Sequence, residues 1–402
     1  MQIRQTFQKY HFVVFFILVA MESMAANFAH PITPTLIQQL QLPDYSFGLL
    51  YAGMAFTNFL FSPLWANQVH HLGSKRVLGI CCVGYGAGQM LFALSKTLPL
   101  IMVARLLSGF FVGGIMVSFL TYIIAHATLE QRGRYLALSA TIPTVFAAFG
   151  YLIGGIMGVY SLFATFVMQS QTLVAAGVLF AMFLKADPDK AKTHTISFKD
   201  INPFQAFLDA RHFLNVAMVL LFFVVFLTSC ATTAYDQNFN YFIKDQFGFP
   251  SSYNGALKAV VGFVSLFANT TICMWIMKRG NVKKALRYVL AGAGILLVMM
   301  TFTTHMVPFM VVNLLFFAFN AIYIPLLQDV CAGEGNTENS HQVMGFYNAM
   351  KSLGMIAGAL FAGFIYGAGA RLSFLFAGLF FLISTLIFHI FKAIANKATA
   401  KA

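Results

Sequence analysis

The sequence has 402 residues, of which 59% are hydrophobic, 16% aromatic and only 9% charged. Soluble domains carry about 25% charged residues, so this composition excludes an ordinary soluble globular protein. The net charge of +13 is also seen in nucleic-acid-binding proteins, so that class must be tested by where the basic residues lie.

Apolar runs of membrane-spanning length follow one another along the chain and predict an all-α membrane protein with twelve transmembrane helices. The first run follows Arg4 and Lys9, as in a signal peptide, but it continues to Pro34 and has a counterpart in the second half. We therefore expect a retained first helix. The predicted spans are residues 11–36, 45–68, 76–95, 99–126, 135–158, 161–184, 213–243, 252–277, 283–304, 306–330, 342–366 and 372–394.

The longest polar stretch follows the sixth span and separates six spans from six. It predicts an N-terminal six-helix bundle over residues 1–187, a cytoplasmic linker over 188–211 and a C-terminal six-helix bundle over 212–402. With both termini in the cytoplasm, 19 of the 25 basic residues fall inside, three fall outside, and three lie within spans. This asymmetry predicts cytoplasmic termini, and it spreads the positive charge along one membrane face, which argues against nucleic-acid binding.

The two predicted halves repeat one pattern of glycines at a nearly constant spacing of 207 or 208 residues. A constant offset over four landmarks predicts two pseudo-symmetric bundles in the same orientation, with a substrate site between the halves near mid-membrane. The paired glycines are Gly48 with Gly255, Gly73 with Gly280, Gly150 with Gly358, and Gly155 with Gly363.

Ionisable residues inside predicted spans need a reason, because a charge at the bilayer centre costs a few kcal/mol. Glu22 and His30 in the first span are about 80° apart around a helix, so they can share one broad face. Arg105 in the fourth span is a candidate partner for Glu22. Burial favours the protonated carboxylic acid and a nearby cation favours the ionised form, so this trio predicts proton coupling. A static ion pair that fixes helix packing is the alternative.

Candidate substrate-binding residues lie in the second half. The seventh span has one polar stripe that includes Asp236 and Asn240, although Asp236 could instead lie at the outer membrane surface. In the eleventh span, Tyr347 and Asn348 are spaced to share a face with Lys351. Three further candidates are Lys258, Asn313 and Asn320.

The loop after the second span resembles a motif of the major facilitator superfamily, with Gly73, Lys75 and Arg76 at matching positions. His70 stands at the family's Asp, which normally helps to lock the two halves on the cytoplasmic side. The resemblance therefore implies a gating role for this loop, with the lock altered or titratable. In the fourth span, Arg105 matches the Arg of the family's Arg-x-x-x-Gly pattern.

The fifth span is similar to the family's antiporter pattern, with Gly150, Gly154 and Gly155 in place and Tyr151 at the position of the Pro. The acid Glu22, followed by a proline-containing helix exit, is similar to proton-coupled multidrug exporters. These resemblances imply the major facilitator fold, conformational roles for the three glycines and proton-driven export.

No ATP-binding, metalloprotease or serine-hydrolase motif occurs, and the five cysteines form no CxxC pair, so we expect no enzyme activity, cofactor or metal. We expect a monomeric cell-membrane transporter that works by alternating access, driven by a proton gradient, and exports amphipathic or drug-like small molecules. Two alternatives stay open. Cavity lysines and arginine could bind an organic anion or anionic lipid, and the chain could be a membrane receptor or assembly factor that transports nothing.

Overall fold

The structure is a computed structural model that describes residues 10–187, 202–211, 214–334 and 340–399. The described residues form helices joined by short turns, and no strand occurs among them. Most of the predicted linker, residues 188–201, lies outside this described part, as do residues 212–213 at the start of the predicted C-terminal bundle.

Twelve spans in the described part are long and apolar enough to cross a membrane, which confirms the predicted spans to within a few residues at most ends. The fifth helix differs most, because it begins before the apolar stretch that identified it. The helices are α1 His11–Ala26, α2 Ser46–Leu72, α3 Ser74–Leu94, α4 Leu98–His126, α5 Leu129–Tyr160, α6 Leu162–Phe183, α7 Val216–Asp245, α8 Ser251–Ala268, α9 Val282–Phe302, α10 Met306–Gly333, α11 Ser340–Tyr366 and α12 Leu372–Thr399.

Two spans are interrupted. The first was predicted as one continuous helix, but α1 ends at Ala26 and the span resumes as a 3₁₀ turn and a short helix, Thr33–Gln39. Pro31 and Pro34 explain the break, because proline lacks the backbone N–H that a continuous helix requires. In the eighth span, α8 ends at Ala268 and is followed by a π-helical turn, Asn269–Cys273, and by a last helical turn, Met274–Lys278.

The chain packs into two compact units. Unit 1 comprises residues 1–42, 53–203 and 243–260, and unit 2 comprises residues 43–52, 204–242 and 261–402. The first turns of α2 therefore belong to unit 2, and the first turns of α8 belong to unit 1. The sequence-based division into residues 1–187, 188–211 and 212–402 stays a prediction.

Helix neighbours recur six helices apart. In unit 1, α3 packs mainly against α4 and α6, and in unit 2, α9 packs mainly against α10 and α12. Stacked aromatic rings occur in both cores, as shown by Phe15 on Tyr122 in unit 1 and Tyr235 on Phe239 in unit 2. All five cysteines are buried as free thiols, in agreement with their apolar sequence context.

The start of α3 is fixed by a carboxylate from the end of the sixth span. Gly73, with a φ of 83°, turns the chain between α2 and α3. The Asp187 carboxylate accepts hydrogen bonds from the Ser74 backbone N–H at 2.5 Å and from the Ser74 hydroxyl at 2.7 Å. This is a helix N-cap supplied from a distant part of the chain, and it satisfies one of the N–H groups that the helix leaves unpaired.

Candidate functional site

Glu22 lies near the end of α1 and is 2% exposed. Its Oε2 accepts a hydrogen bond of 3.1 Å from the hydroxyl of Ser23. Among the described residues it has no ion pair, and the pairing with Arg105 that the sequence suggested is not found. A buried carboxyl whose recorded hydrogen-bond donor is neutral is unusual inside a membrane protein, where ionised groups pair or face water.

Arg105 of α4 is 5% exposed and points to other groups of unit 1. Its guanidinium stacks over the Phe92 ring, 4.2 Å from the ring centroid, and donates to the hydroxyl of Thr33 at 3.5 Å. It also contacts the sulfur of Met54 at 3.7 Å. The arginine therefore joins α3 and α2 to the resumed part of the first span, beyond the break that follows Glu22.

His30 lies in that break, half-buried, with its ring stacked on Tyr151 of α5 at a centroid distance of 5.5 Å and 12° between planes. The ammonium of Lys258 in α8 lies over the same Tyr151 ring, 5.9 Å from its centroid. His30 is within electrostatic range of both Arg105 and Lys258. We call His30, Arg105, Tyr151 and Lys258 the basic cluster of unit 1.

The glycines of α5 let other backbones approach closely. A Cβ at Gly150 would overlap the Met24 carbonyl oxygen, and a Cβ at Gly154 would overlap that of Phe28. The α1 break thus lies directly against α5. Gly155 faces α8 instead, where a Cβ would lie 2.5 Å from the Ser251 carbonyl oxygen. The hydroxyl of Ser251 also donates to the Gly155 carbonyl oxygen at 3.0 Å.

The matching glycines recur in unit 2. A Cβ at Gly358 of α11 would overlap the Cys230 carbonyl oxygen of α7, and a Cβ at Gly48 of α2 would overlap the Ala359 carbonyl oxygen. A Cβ added at Gly363 of α11 would lie 3.3 Å from the Gly48 Cα, so Gly363 packs against the same turn of α2. The sequence repeat therefore marks two equivalent contacts, α5 with α8 and α2 with α11. Small residues at such contacts allow close helix packing in membranes.

The polar stripe of α7 meets α10 within unit 2. The Thr232 hydroxyl lies 2.7 Å from the Tyr323 hydroxyl and donates to Asn320 Oδ1 at 3.3 Å. Asp236 is half-buried and within electrostatic range of Tyr323. It is nine residues from the end of α7, which is about 14 Å along a helix, so it lies within the span.

The other candidates in the second half differ in their surroundings. Asn313 is fully buried and accepts a short hydrogen bond from the Tyr235 hydroxyl, as a packing residue would. Asn240 is half-buried on α7. On α11, Tyr347 is buried and Asn348 is exposed, so these two do not share the same surroundings.

Lys351 is half-buried in the middle of α11. Among the described residues, the structure records neither a hydrogen bond nor an ion pair for its ammonium group. A lysine eleven residues into a helix of 27 is poorly placed to reach the membrane surface.

The family model of the Major Facilitator Superfamily matches residues 15–358. The chain belongs to this superfamily. It is therefore a multi-pass membrane transporter and not an enzyme, and the non-transporting receptor that the sequence left open is set aside.

Curated relatives in the superfamily are distant but span nearly the whole chain. Multidrug resistance protein 2 of Bacillus subtilis (strain 168) is 22% identical over 397 residues, which is 98% of each chain. Tetracycline resistance protein, class C, of Escherichia coli is 25% identical over 357 residues, 88% of each chain. The crystal structure of the human organic anion transporter MFSD10 (TETRAN) is similar with a TM-score of 0.70 and 18% identity, covering 94% of this chain and 99% of that one.

The superfamily loop motif lies at the turn from α2 to α3. Gly73 supplies the left-handed turn, Lys75 is half-buried and Arg76 is exposed. His70 lies in α2, but its side chain is outside the described part. Asp187 brings a carboxylate to this turn, a role that the sequence alone did not suggest.

Tyr151 is the residue that sequence reasoning undervalued. It appeared only as a departure from the superfamily's antiporter pattern, yet its ring lies against His30 and Lys258. The signal was the replacement of a proline by a large aromatic residue between glycines that face α1. Tyr323 was also missed, because one tyrosine in a phenylalanine-rich span carries little information on its own.

Proposed function

We propose that this transporter exports amphipathic, drug-like molecules in exchange for protons, with Glu22 as the proton-carrying group. The observation that carries the proposal is the buried Glu22 carboxyl, whose recorded hydrogen-bond donor is neutral Ser23. Support for the substrate class comes from the relatives, which include a multidrug resistance protein and a tetracycline resistance protein. Proton coupling and export come to this chain by that inference.

The coupling would act through the cost of burying a charge. A neutral carboxyl fits the apolar surroundings of Glu22, whereas the ionised form requires water or a cation nearby. A conformational change that brings water or Arg105 to the carboxyl would release the proton, and its reversal would take one up. Because Arg105 now contacts Thr33 and Phe92, beyond the α1 break, a movement of that break could change its distance from Glu22.

Alternating access would use the two equivalent glycine contacts. We propose that α5 with α8, and α2 with α11, form the closed gate on the extracellular side. This side follows from the asymmetry of basic residues, which also supports cytoplasmic termini and a place in the cell membrane. Opening would separate Gly155 from Gly255 and Gly48 from Gly363, and would close the cytoplasmic side where the motif around Gly73 lies.

The test is transport in proteoliposomes with an imposed pH gradient and a fluorescent cationic dye. Glu22→Gln should abolish dye movement driven by the gradient while leaving dye exchange without a gradient. Exchange needs the substrate site and the conformational cycle but not the proton. Glu334→Gln is the matched control, because Glu334 pairs with Lys283 at 2.6 Å on the protein surface. Wild-type gradient-driven rates in Glu22→Gln would refute the assignment.

A second candidate function is transport of an organic anion, favoured by Lys351 and by the basic cluster of unit 1. Lys351 is a cation inside a span with no ion pair to a described residue, and such a cation can bind a carboxylate or sulfonate. The human organic anion transporter of similar fold lends this candidate further support.

Binding of a fluorescent organic anion to the purified protein separates the two candidates. Lys351→Met keeps the length of the side chain and removes the charge, so anion affinity should fall at least tenfold, about 1.4 kcal/mol. Lys284→Met, at an exposed position, is the control. Unchanged anion affinity in Lys351→Met, together with gradient-driven export of the cationic dye by the wild-type protein, would reject the anion transporter in favour of the drug exporter.

A further inference from the structure

A groove of about 570 Å³ runs along the outer surface of unit 1, between α3, α4 and α6. Its walls include Gly79, Val83, Phe111 and Val178, and apart from Arg76 at one end its lining is apolar. Val83 is 40% exposed and Val178 is 47% exposed, so the groove is open to the surroundings of the helices. It is separate from Glu22 and from the basic cluster.

Close packing of two glycines makes the floor of the groove. A Cβ on Gly79 of α3 would lie 3.2 Å from the Gly177 carbonyl oxygen of α6, and a Cβ on Gly177 would lie 2.8 Å from the Gly79 oxygen. The helices therefore touch backbone to backbone at this point. Larger side chains on either side stand above them, which leaves a channel rather than a flat surface.

Arg76 closes one end of the groove with a positive charge. It is exposed, and the structure records no hydrogen bond or ion pair between it and any described residue. The nearest capping carboxylate, Asp187, is bound by Ser74. A cation in the first turn of a helix is also unfavourably placed relative to the helix dipole. An anion at this position would therefore be attracted both by the Arg76 guanidinium and by the positive end of the α3 dipole.

The length of the groove fits one leaflet of a bilayer. From Arg76 to Gly84 the helix rises about 12 Å, and half of the hydrocarbon core is about 15 Å thick. Arg76 is the third residue of α3 and so lies at the start of this span, the end at which we expect the polar headgroups. The groove then descends toward the membrane centre.

We propose that this groove binds one anionic phospholipid, with an acyl chain lying over Gly79 and Gly177 and the phosphate on the Arg76 guanidinium. The charge selects the headgroup and the channel selects the chain. The bound lipid is a structural and regulatory ligand at the membrane-facing surface, distinct from any transported molecule. This assignment does not depend on whether the protein exports drugs or anions.

Native mass spectrometry of the purified, delipidated transporter, titrated with phosphatidylglycerol or phosphatidylcholine, tests the proposal. Wild type should bind one phosphatidylglycerol more tightly than phosphatidylcholine. Arg76→Gln should weaken phosphatidylglycerol binding about fivefold, as expected for one basic residue at the membrane surface. Arg279→Gln, which removes an exposed arginine that stacks on Trp275 and does not line this groove, should bind like wild type.

A second variant tests the acyl chain. Val178→Trp should fill the groove and weaken binding of both lipids, whereas Ile295→Trp, at a position 53% exposed on α9, should have no effect. Melting temperatures of all variants report on folding independently. Equal affinity for the two lipids, equal losses in Arg76→Gln and Arg279→Gln, or unchanged binding in Val178→Trp would each overturn the assignment.

Discussion

Gly255→Ala is expected to open the contact between α5 and α8. The added Cβ would overlap the Tyr151 carbonyl oxygen and would lie 3.0 Å from the Tyr151 carbonyl carbon and 3.1 Å from the Leu152 Cα. All three atoms belong to the backbone of α5, so no flexible side chain can move aside. The two helices must separate instead.

The size of the effect follows from overpacking. Ordinary van der Waals contact begins at 3.4 Å, so the backbones must move apart by about 1 Å at the Tyr151 oxygen. Overpacking of this kind costs about 1–3 kcal/mol. If that cost falls on the closed state alone, the ratio of open to closed molecules should rise about 5- to 150-fold.

A single reporter thiol can measure this ratio. Ser251→Cys places a thiol at a position that is 5% exposed beside Gly155, and its rate of reaction with a polar maleimide in detergent micelles follows the open population. Gly255→Ala in the Ser251→Cys background should raise that rate within the range given above.

Gly345→Ala in the same background is the control, because nothing lies within 4 Å of its added Cβ. Gly345→Ala gains about 1 kcal/mol in helix propensity, but its added Cβ overlaps no neighbouring atom. A folded Gly255→Ala protein that reacts at the rate of the Gly345→Ala protein would refute the gate assignment.

Three further changes test the packing of each unit by melting temperature. Trp65→Phe removes a 2.6 Å hydrogen bond from the indole to the Phe110 carbonyl oxygen and should cost about 1–3 kcal/mol, and an unchanged melting temperature would contradict that role. Asp187→Ala removes the cap on Ser74 and should lower the free energy of unfolding by about 0.5–2 kcal/mol. A loss no larger than that from replacing an exposed acid by alanine would argue against the capping role. Thr232→Val removes the hydrogen bond to a tyrosine of α10 and should cost about 0.5–1.5 kcal/mol, with a neutral result as the contrary outcome.

The twelve spans were predictable because hydropathy is a local property of the sequence. Pro31 and Pro34 predict a helix exit at the end of the first span, whereas in the structure the helix breaks there and then resumes. The repeat of glycines predicted equivalent positions correctly. It could not say that Gly155 and Gly255 touch each other, because that depends on which helices become neighbours.

The candidate site was less predictable, for the same reason. Glu22 was identified from its chemistry, since a carboxyl in an apolar span is exceptional. Its expected partner Arg105 turned instead toward Phe92, an attraction between a cation and an aromatic ring that a sequence with 46 phenylalanines cannot localise. Roles of the individual site residues in transport stay predictions.

The burial of all five native thiols makes this transporter convenient for labelling experiments in its natural sequence. A polar maleimide should leave Cys81, Cys82, Cys230, Cys273 and Cys331 unmodified while the helices stay packed. Single reporter cysteines can then be added without first removing the native ones. The Cys230 backbone lies against Gly358 at the contact of α7 with α11, so the unreacted Cys230 thiol serves as an internal check that these helices stay packed during labelling.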